Sequence, residues 1–240
     1  MNAGPWNEAW LRDSACEIDE PQVWRGVETQ HLSATRRLVD TGDEHDALED
    51  MIEASKPPYR GSHRAGQHYL LTTPFRYTPD RPSRFRPAGE PGIWYGARQL
   101  RAACAEVAYW RMEFILDSAG LRGRQLTTEH TFFAAHVAGH GLDLKSPPWS
   151  NARDYWTNGQ DYTETHRLAR MAEAAGIQVI EYESVRSRGD TNFAVFTADA
   201  LAEPAQGVDA SQQPWTFTAT ANRVSCMRTG DRSRRFEWAR

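Results

Sequence analysis

A helical repeat of apolar residues begins directly after a short strand-like segment, and this change of period constrains the fold more than any other feature of the chain. Residues 92–95 read Gly-Ile-Trp-Tyr, a pattern typical of a short strand. The next apolar residues follow the i, i+3, i+4, i+7, i+8 spacing of an amphipathic helix: Leu100, Ala103, Cys104, Val107 and Ala108. Another strand-like segment follows at 129–144. This alternation predicts a mixed α+β fold.

The remaining patterns fit a single α+β domain. Pro57 and Pro58 end one predicted helix and Gly176 ends another, as proline and glycine commonly do. The polar residues 1–22 are predicted to lie on the surface as an arm. The predicted helices span 43–55 and 162–175. The predicted strands span 23–33 with a turn, 68–71, 177–182 and 193–197, and residues 215–226 are predicted as a late strand or hairpin.

Composition excludes several classes of protein. A length of 240 residues with 40% hydrophobic and 25% charged residues rules out wholesale disorder. There is no apolar run of about 18 residues, so we expect no membrane span. The first 16 residues lack a basic start and an apolar stretch, so we expect no signal peptide and a cytoplasmic protein. The net charge of −4 argues against a broad nucleic-acid-binding surface.

The sequence contains no clear motif for a metal site or for a serine nucleophile. Cys16, Cys104 and Cys226 have neither metal-ligand nor disulfide-framework spacing, which fits a reducing compartment. His136 and His140 are four residues apart but lie in a strand-like segment without a His-Glu-x-x-His motif, so we predict no metal site. The Gly-x-Ser-x-Gly elbow of α/β-hydrolases is absent.

Arginine supplies 26 of the 28 basic residues. One interpretation is codon bias in a GC-rich genome, which we favour for most of these positions. The other is that some of the arginines bind phosphate groups with both guanidinium nitrogens, which lysine cannot do. Composition leaves both interpretations open.

Arg84, Tyr95 and Glu106 are evenly spaced, with ten residues between each pair. Glu106 lies about 240° around the helix from the centre of the apolar stripe, so its carboxylate points away from the core-facing side. From this geometry alone a solvated helix glutamate is the better interpretation. The arginine-dense loop and the aromatic pair before the same helix favour a functional role. Ser184, at the end of a predicted strand, is a second candidate.

These segments together resemble the RES-domain family, named for its arginine, glutamate and serine. The resemblance covers about residues 70–200. Family members usually have an asparagine where the sequence 82–86 has none, and either Arg76 or Arg25 matches the first family arginine. The segments that carry the resemblance are Pro74-Phe75-Arg76-Tyr77, Ser83-Arg84-Phe85, Gly92-Ile93-Trp94-Tyr95-Gly96, Ala102 to Glu106, and Glu183-Ser184-Val185-Arg186 with Asn192.

The resemblance implies a mixed β core similar to that of ADP-ribosyltransferase toxins. On this basis residues 66–240 form the catalytic domain, and residues 1–65 are an N-terminal extension packed on it. The implied activity is that of a bacterial toxin that cleaves the nicotinamide–ribose bond of NAD⁺. Inorganic phosphate is the expected acceptor, and the products are nicotinamide and ADP-ribose-1''-phosphate. NAD⁺ is a substrate, and we expect no permanently bound cofactor.

The resemblance also implies roles for named residues and a partner. Catalytic roles fall to Glu106, Arg76 and Arg84. Substrate contacts fall to Tyr77, Tyr95, Ser184 and Arg186. A helix-turn-helix (Xre-type) antitoxin is the expected protein partner. Two alternatives stay open: mono-ADP-ribosyl transfer or hydrolysis of NAD⁺ at the same site, and, more distantly, an arginine-rich RNA- or protein-binding module without catalysis.

Overall fold

The computed structural model describes residues 5–29, 38–58 and 66–240, and these contain seven α-helices and nine strands. Residues 30–33 of the predicted strand and turn, and the first four residues of the predicted arm, lie outside the described residues. The helices are α1 (Glu8–Ser14), α2 (Gly42–Ser55), α3 (Tyr69–Arg76), α4 (Leu100–Asp117), α5 (Arg153–Thr157), α6 (Thr163–Ala174) and α7 (Val208–Ser211). The strands are β1 (Ala15–Glu28), β2 (Trp94–Ala97), β3 (Leu126–Asp143), β4 (Val179–Glu183), β5 (Thr191–Val195), β6 (Leu201–Ala202), β7 (Gln213–Ala219), β8 (Arg223–Arg228) and β9 (Asp231–Ala239).

The nine strands form one mixed sheet in the order β1-β2-β5-β4-β3-β7-β8-β9, with β6 paired to β3. Strand β1 also pairs with β3, so that β1, β2, β5, β4 and β3 form a closed circuit of pairings. Strands β3 and β4 run parallel, and every other pair is antiparallel. The long strand β3 therefore joins the closed part of the sheet to a β7–β9 meander.

Helix α4 packs on both parts of this sheet, because it contacts β1 and β2 on one side and β7, β8 and β9 on another. Its first turns carry small residues that allow close approach, and all four residues from Ala102 to Ala105 are buried. Alanine also has the highest helix propensity. A helix covered on more than one side has no fully solvated face at this point, and Glu106, the next residue, is only partly exposed.

The predicted α+β architecture is confirmed, and so are the helices predicted at 43–55 and 162–175, which correspond to α2 and α6. Two expectations were wrong. Residues 68–71, predicted as a strand, begin α3, where the His68 side chain accepts a hydrogen bond from the Leu70 amide as an N-cap. A short apolar run cannot by itself distinguish strand from helix.

The second error concerns the predicted surface arm. Within the described residues, α1 and most of β1 occupy this region, with Trp6, Leu11 and Ile18 buried. Strand β1 pairs with β3 from Ala15 to Glu28, apart from a shift in register after Glu20. Its partner strand β3 is distant in sequence, and the polar, alternating pattern of this segment does not predict such long-range pairing. No helix among the described residues is both long and apolar enough to cross a membrane.

Candidate active site

A cleft of about 310 Å³ lies between α4 and the strands β1 and β2. Its floor and walls also include the loop before β2 and the turn between β4 and β5. The cleft is lined mainly by aromatic and arginine side chains, together with two glutamates. The polar and aromatic residues among its lining are Trp24, Arg25, Glu28, Ser83, Arg84, Tyr95, Glu106, Trp110, Arg111, His130, Tyr162, Tyr182, Arg186 and Asn192.

Glu106 is held in this cleft by two side chains from the β4–β5 region. Its Oε1 accepts a hydrogen bond of 2.8 Å from Asn192 Nδ2 and one of 3.4 Å from Ser184 Oγ. Both partners are themselves buried. Hydrogen bonds from two fixed donors restrict the carboxylate to one orientation, as positioning of a reacting group requires.

Burial raises the pKa of Glu106 above its ordinary value, because the charged form loses hydration. Arg186, Asn192, Arg84 and Ser184 act in the opposite direction, since each favours the carboxylate form, but burial has the larger effect. A partly buried carboxyl group with a shifted pKa among specific charge partners is typical of functional sites.

Ser184 also fixes the turn that follows β4. Its hydroxyl oxygen accepts hydrogen bonds from the backbone amides of Arg186 (3.3 Å) and Ser187 (3.1 Å). The Arg186 guanidinium then lies over the Tyr109 ring, 3.5 Å from its centroid. Ser184 therefore connects Glu106 to the position of a neighbouring cation.

Arg84 is buried and also lines the cleft. Its Nη1 donates hydrogen bonds to the backbone carbonyls of Trp156 (2.6 Å) and Asn158 (2.8 Å), and its guanidinium lies 5.2 Å from the Tyr162 ring centroid. Among the described residues its Nε and Nη2 have no hydrogen-bond partner. Arg84 thus has a fixed guanidinium with two donor nitrogens left for a ligand.

Tyr95 anchors the loop that carries Arg84. Its hydroxyl lies 2.9 Å from Ser83 Oγ and accepts a hydrogen bond from the Phe85 amide at 3.0 Å. Burial raises the pKa of Tyr95 to about 12, so the phenol is uncharged at neutral pH. Because these bonds occupy the hydroxyl, Tyr95 positions the loop, and its ring lines the cleft.

The structure corrects the expected positions of Arg76 and Tyr77, since neither residue lines the cleft. Arg76 is the last residue of α3, and its guanidinium pairs with Glu53 of α2 at 2.5 Å. The Tyr77 side chain is exposed. Both residues lie at the end of α3, in the segment predicted to begin as a strand. Because the segment is a helix, its end lies beside α2.

Arg25 lies in the cleft instead. It extends from β1, and its Nη1 donates a 2.9 Å hydrogen bond to the Tyr95 carbonyl. Burial lowers the pKa of Arg25 to about 10, so it remains charged at neutral pH. Of the two residues that could match the first family arginine, the structure brings Arg25 to the cleft.

The histidines singled out by their spacing lie on β3 outside the cleft. His136 Nε2 is 2.5 Å from Asp19 Oδ1, and His140 Nδ1 is 3.3 Å from Glu17 Oε1. The described part of the chain holds no cluster of three or more residues able to bind a metal ion.

Sequence reasoning did not assign site roles to several lining residues. Asn192 lies opposite Tyr182 in the β4–β5 register, and both line the cleft. On β1, Trp24 and Glu28 also line it. A strand was predicted over this segment, but its pairing with β2 and β3, which brings it to the cleft, has no signal in the local sequence.

The fold and the cleft together define a single-domain α+β protein whose cleft places one partly buried glutamate among several arginines. The family model described as the RES domain matches residues 57–220, and the chain belongs to this family. The resemblance read from the sequence is thereby confirmed.

The chain is also similar to a solved structure titled "Crystal structure of the M.tuberculosis MbcT-MbcA toxin-antitoxin complex". The two chains are 12% identical, the TM-score is 0.49, and the alignment covers 89% of this chain and 92% of the other. No curated protein sequence matches the chain at a significant level.

Proposed function

We propose that this protein cleaves the nicotinamide–ribose bond of NAD⁺ with inorganic phosphate as acceptor, and that it acts as a toxin. The observation that carries the proposal is the Glu106 carboxylate, which Ser184 and Asn192 orient in a cleft flanked by Arg84 and Arg186. Membership of the RES-domain family supports the same chemistry, because the resemblance implies NAD⁺ as the substrate.

The reaction requires little proton transfer. Nicotinamide leaves as a neutral base from a cationic substrate, so the leaving group needs no general acid. Its departure generates positive charge on the ribose, which a nearby carboxylate stabilises. In this proposal Glu106 accepts a hydrogen bond from the ribose 2''-hydroxyl and faces the developing cation, while its two hydrogen-bond donors keep it in place.

Arginines hold the anionic parts of the reaction. The substrate carries a pyrophosphate, and the acceptor is a phosphate ion; planar guanidinium groups bind both kinds of oxyanion through two N–H groups at once. Arg84 has Nε and Nη2 available for this contact, and the Arg186 cation lies close enough to Glu106 to act on its pKa. Tyr162 and Tyr182 provide aromatic surface for the nicotinamide end.

The test is to incubate the purified protein with NAD⁺, with and without inorganic phosphate, and to resolve the products by mass spectrometry. We expect nicotinamide and ADP-ribose-1''-phosphate, formed at a rate that rises with phosphate concentration. Phosphate-independent release of free ADP-ribose would instead indicate hydrolysis, and attachment of ADP-ribose to protein would indicate transfer. Absence of nicotinamide release under all these conditions would contradict the proposal.

As part of the same proposal, a helix-turn-helix antitoxin of the Xre type binds this protein and blocks the cleft. A toxin that consumes NAD⁺ must be restrained in the cell that makes it, and covering Glu106 and its arginines is the most direct way to do so. Co-expression of the antitoxin should then restore growth of cells producing the toxin.

The pH dependence of the reaction should report the charge on Glu106. Replacing Arg186 by Gln removes a cation that lowers the pKa of Glu106, so that pKa rises. Because the carboxylate form is the active one, loss of activity on acidification then begins at a higher pH. The measurement is kcat/KM for nicotinamide release as a function of pH.

Arg188 provides the matched control, since it is exposed in the same turn and does not line the cleft. The Arg188→Gln variant should have the wild-type acid limb. An unmoved acid limb in Arg186→Gln would mean that Glu106 does not set the pH dependence. Weaker phosphate binding alone would change the rate without moving that limb.

A further inference from the structure

The cleft continues past Glu106 along both of its walls. On α4, Trp110 and Arg111 follow Glu106 by four and five residues, and both line the cleft. At about 1.5 Å per residue, the Arg111 backbone lies about 7.5 Å further along the helix. On β1, the lining runs from Trp24 to Glu28, about 13 Å of strand at about 3.3 Å per residue. The proposed reaction uses none of this end.

The far end is closed by an ion pair. Arg111 Nη2 lies 2.9 Å from Glu28 Oε2, and the Glu28 side chain is 53% exposed. His130 lies opposite Glu28 in the β1–β3 register and is buried. Burial, with a smaller effect of Arg111, lowers the pKa of His130 to about 4, so the imidazole is neutral at physiological pH. The Arg111 cation and the Glu28 anion at this end are therefore already paired with each other.

An apolar surface lies beside this pair. The Trp110 indole is 43% exposed although it lines the cleft, and it meets Tyr109 edge-on. An exposed indole at the wall of a cleft offers a stacking face for a planar heterocycle. A carboxylate within the same cleft accepts hydrogen bonds from the two hydroxyls of a ribose ring. A purine nucleoside carries both a planar heterocycle for the indole and ribose hydroxyls for the carboxylate.

We propose that this end of the cleft binds the adenosine of the dinucleotide, with Glu28 accepting hydrogen bonds from its ribose hydroxyls and selecting against a 2'-phosphate. The inference rests on the proposed function, which places the nicotinamide end at Glu106. A 2'-phosphate would add about two negative charges beside the Glu28 carboxylate. Arg111 does not compensate, because Glu28 already engages it.

One substitution at Glu28 should therefore weaken the preference for NAD⁺ over NADP⁺. The Glu28→Gln variant removes the repelling charge and releases the Arg111 guanidinium, which then binds the 2'-phosphate. We expect the ratio of kcat/KM for NAD⁺ to that for NADP⁺ to fall by at least about tenfold relative to the wild type. Most of this change should come from faster nicotinamide release from NADP⁺.

Two further variants identify the cause. Adding Arg111→Met to Glu28→Gln should remove the gain with NADP⁺, since no guanidinium then meets the phosphate. Glu17→Gln is the matched control, because Glu17 is an exposed glutamate of the same strand that lies outside the cleft. It should keep the wild-type ratio. Because the Glu28 side chain is exposed, we expect the Glu28→Gln variant to fold like the wild type. Equal melting temperatures verify this.

The possible failures are distinguishable. If the wild type releases nicotinamide equally well from both dinucleotides, or if Glu28→Gln leaves the ratio unchanged, the assignment of Glu28 is wrong while the proposed function stands. If the wild type releases nicotinamide from neither dinucleotide with or without phosphate, the proposed function fails, and the adenosine site fails with it.

Discussion

Replacing Glu106 by Gln is expected to lower the kcat for nicotinamide release by about 10²–10³-fold, the effect of removing one preorganised electrostatic contact to a transition state. Gln keeps the size of the side chain and an oxygen for the Asn192 amide, so the cleft keeps its shape. It lacks the negative charge that opposes the developing ribose cation. We therefore expect the loss in kcat, with the Kd for NAD⁺ nearly unchanged.

The same substitution should not weaken the fold. Burial raises the pKa of Glu106 in the folded protein above its value in the unfolded chain. The folded state then binds the proton more tightly, so the carboxylate form costs stability above that pKa and this cost disappears as the pH falls. A neutral Gln removes the cost at neutral pH. The melting temperature of Glu106→Gln should equal or exceed that of the wild type, as is common where function opposes stability.

Glu113→Gln is the matched control, because Glu113 lies on the same helix and does not line the cleft. This variant should retain wild-type turnover. A Glu106→Gln protein with wild-type kcat would remove the carboxylate from the mechanism. A strongly lowered melting temperature would instead mean that the carboxylate supports the fold and that its loss of activity is indirect.

Local sequence order explains why the centre of the site could be anticipated. Strand β2 leads into α4 after only two residues, Arg98 and Gln99, so Tyr95 and Glu106 are close because the chain between them is short. The loop before β2 returns to the same strand, and Tyr95 binds Ser83 and Phe85 within it. Neighbouring segments of this kind make the association of Arg84, Tyr95 and Glu106 predictable from spacing.

Contacts between distant segments explain what could not be anticipated. Arg25 reaches the cleft only because β1 joins the sheet between β2 and β3, which no local pattern encodes. The orientation of Glu106 is a similar case. An angle of 240° from an apolar stripe predicts solvent if the helix packs on one side, but α4 packs on two parts of the sheet. The periodicity predicted the helix, but the burial of its glutamate depends on the strands that pack around the helix.

Replacing Trp156 by Ala is expected to destabilise the fold by about 3–5 kcal/mol, the range for removing a buried aromatic side chain. Trp156 is 1% exposed and packs in a cluster with Trp149, Phe85 and Leu168. For a chain of this size each kcal/mol lowers the melting temperature by about 2–4 °C. A decrease of about 6–20 °C in thermal denaturation is therefore expected.

A conservative variant separates packing from hydrogen bonding. Trp156→Phe keeps much of the buried ring but loses the 3.1 Å hydrogen bond from the indole Nε1 to the Trp149 carbonyl, which contributes about 1 kcal/mol. Tyr155→Ala, a change at the half-exposed neighbour, should cost less than either variant at Trp156. If Trp156→Ala melts like Tyr155→Ala, packing of the Trp156 side chain does not contribute to the stability of the fold.

Substitutions at Trp156 should affect activity only indirectly, because Arg84 contacts its backbone carbonyl. The Arg84 guanidinium is held by the backbone carbonyls of Trp156 and Asn158, and side-chain identity at 156 matters only through the position of that backbone. Trp156→Phe should therefore keep near-wild-type kcat/KM for nicotinamide release. Trp156→Ala should lose more activity than its unfolded fraction explains, because the cavity lets the carbonyls move and Arg84 loses its fixed position. The measurement is kcat/KM well below both melting temperatures, where both variants are folded.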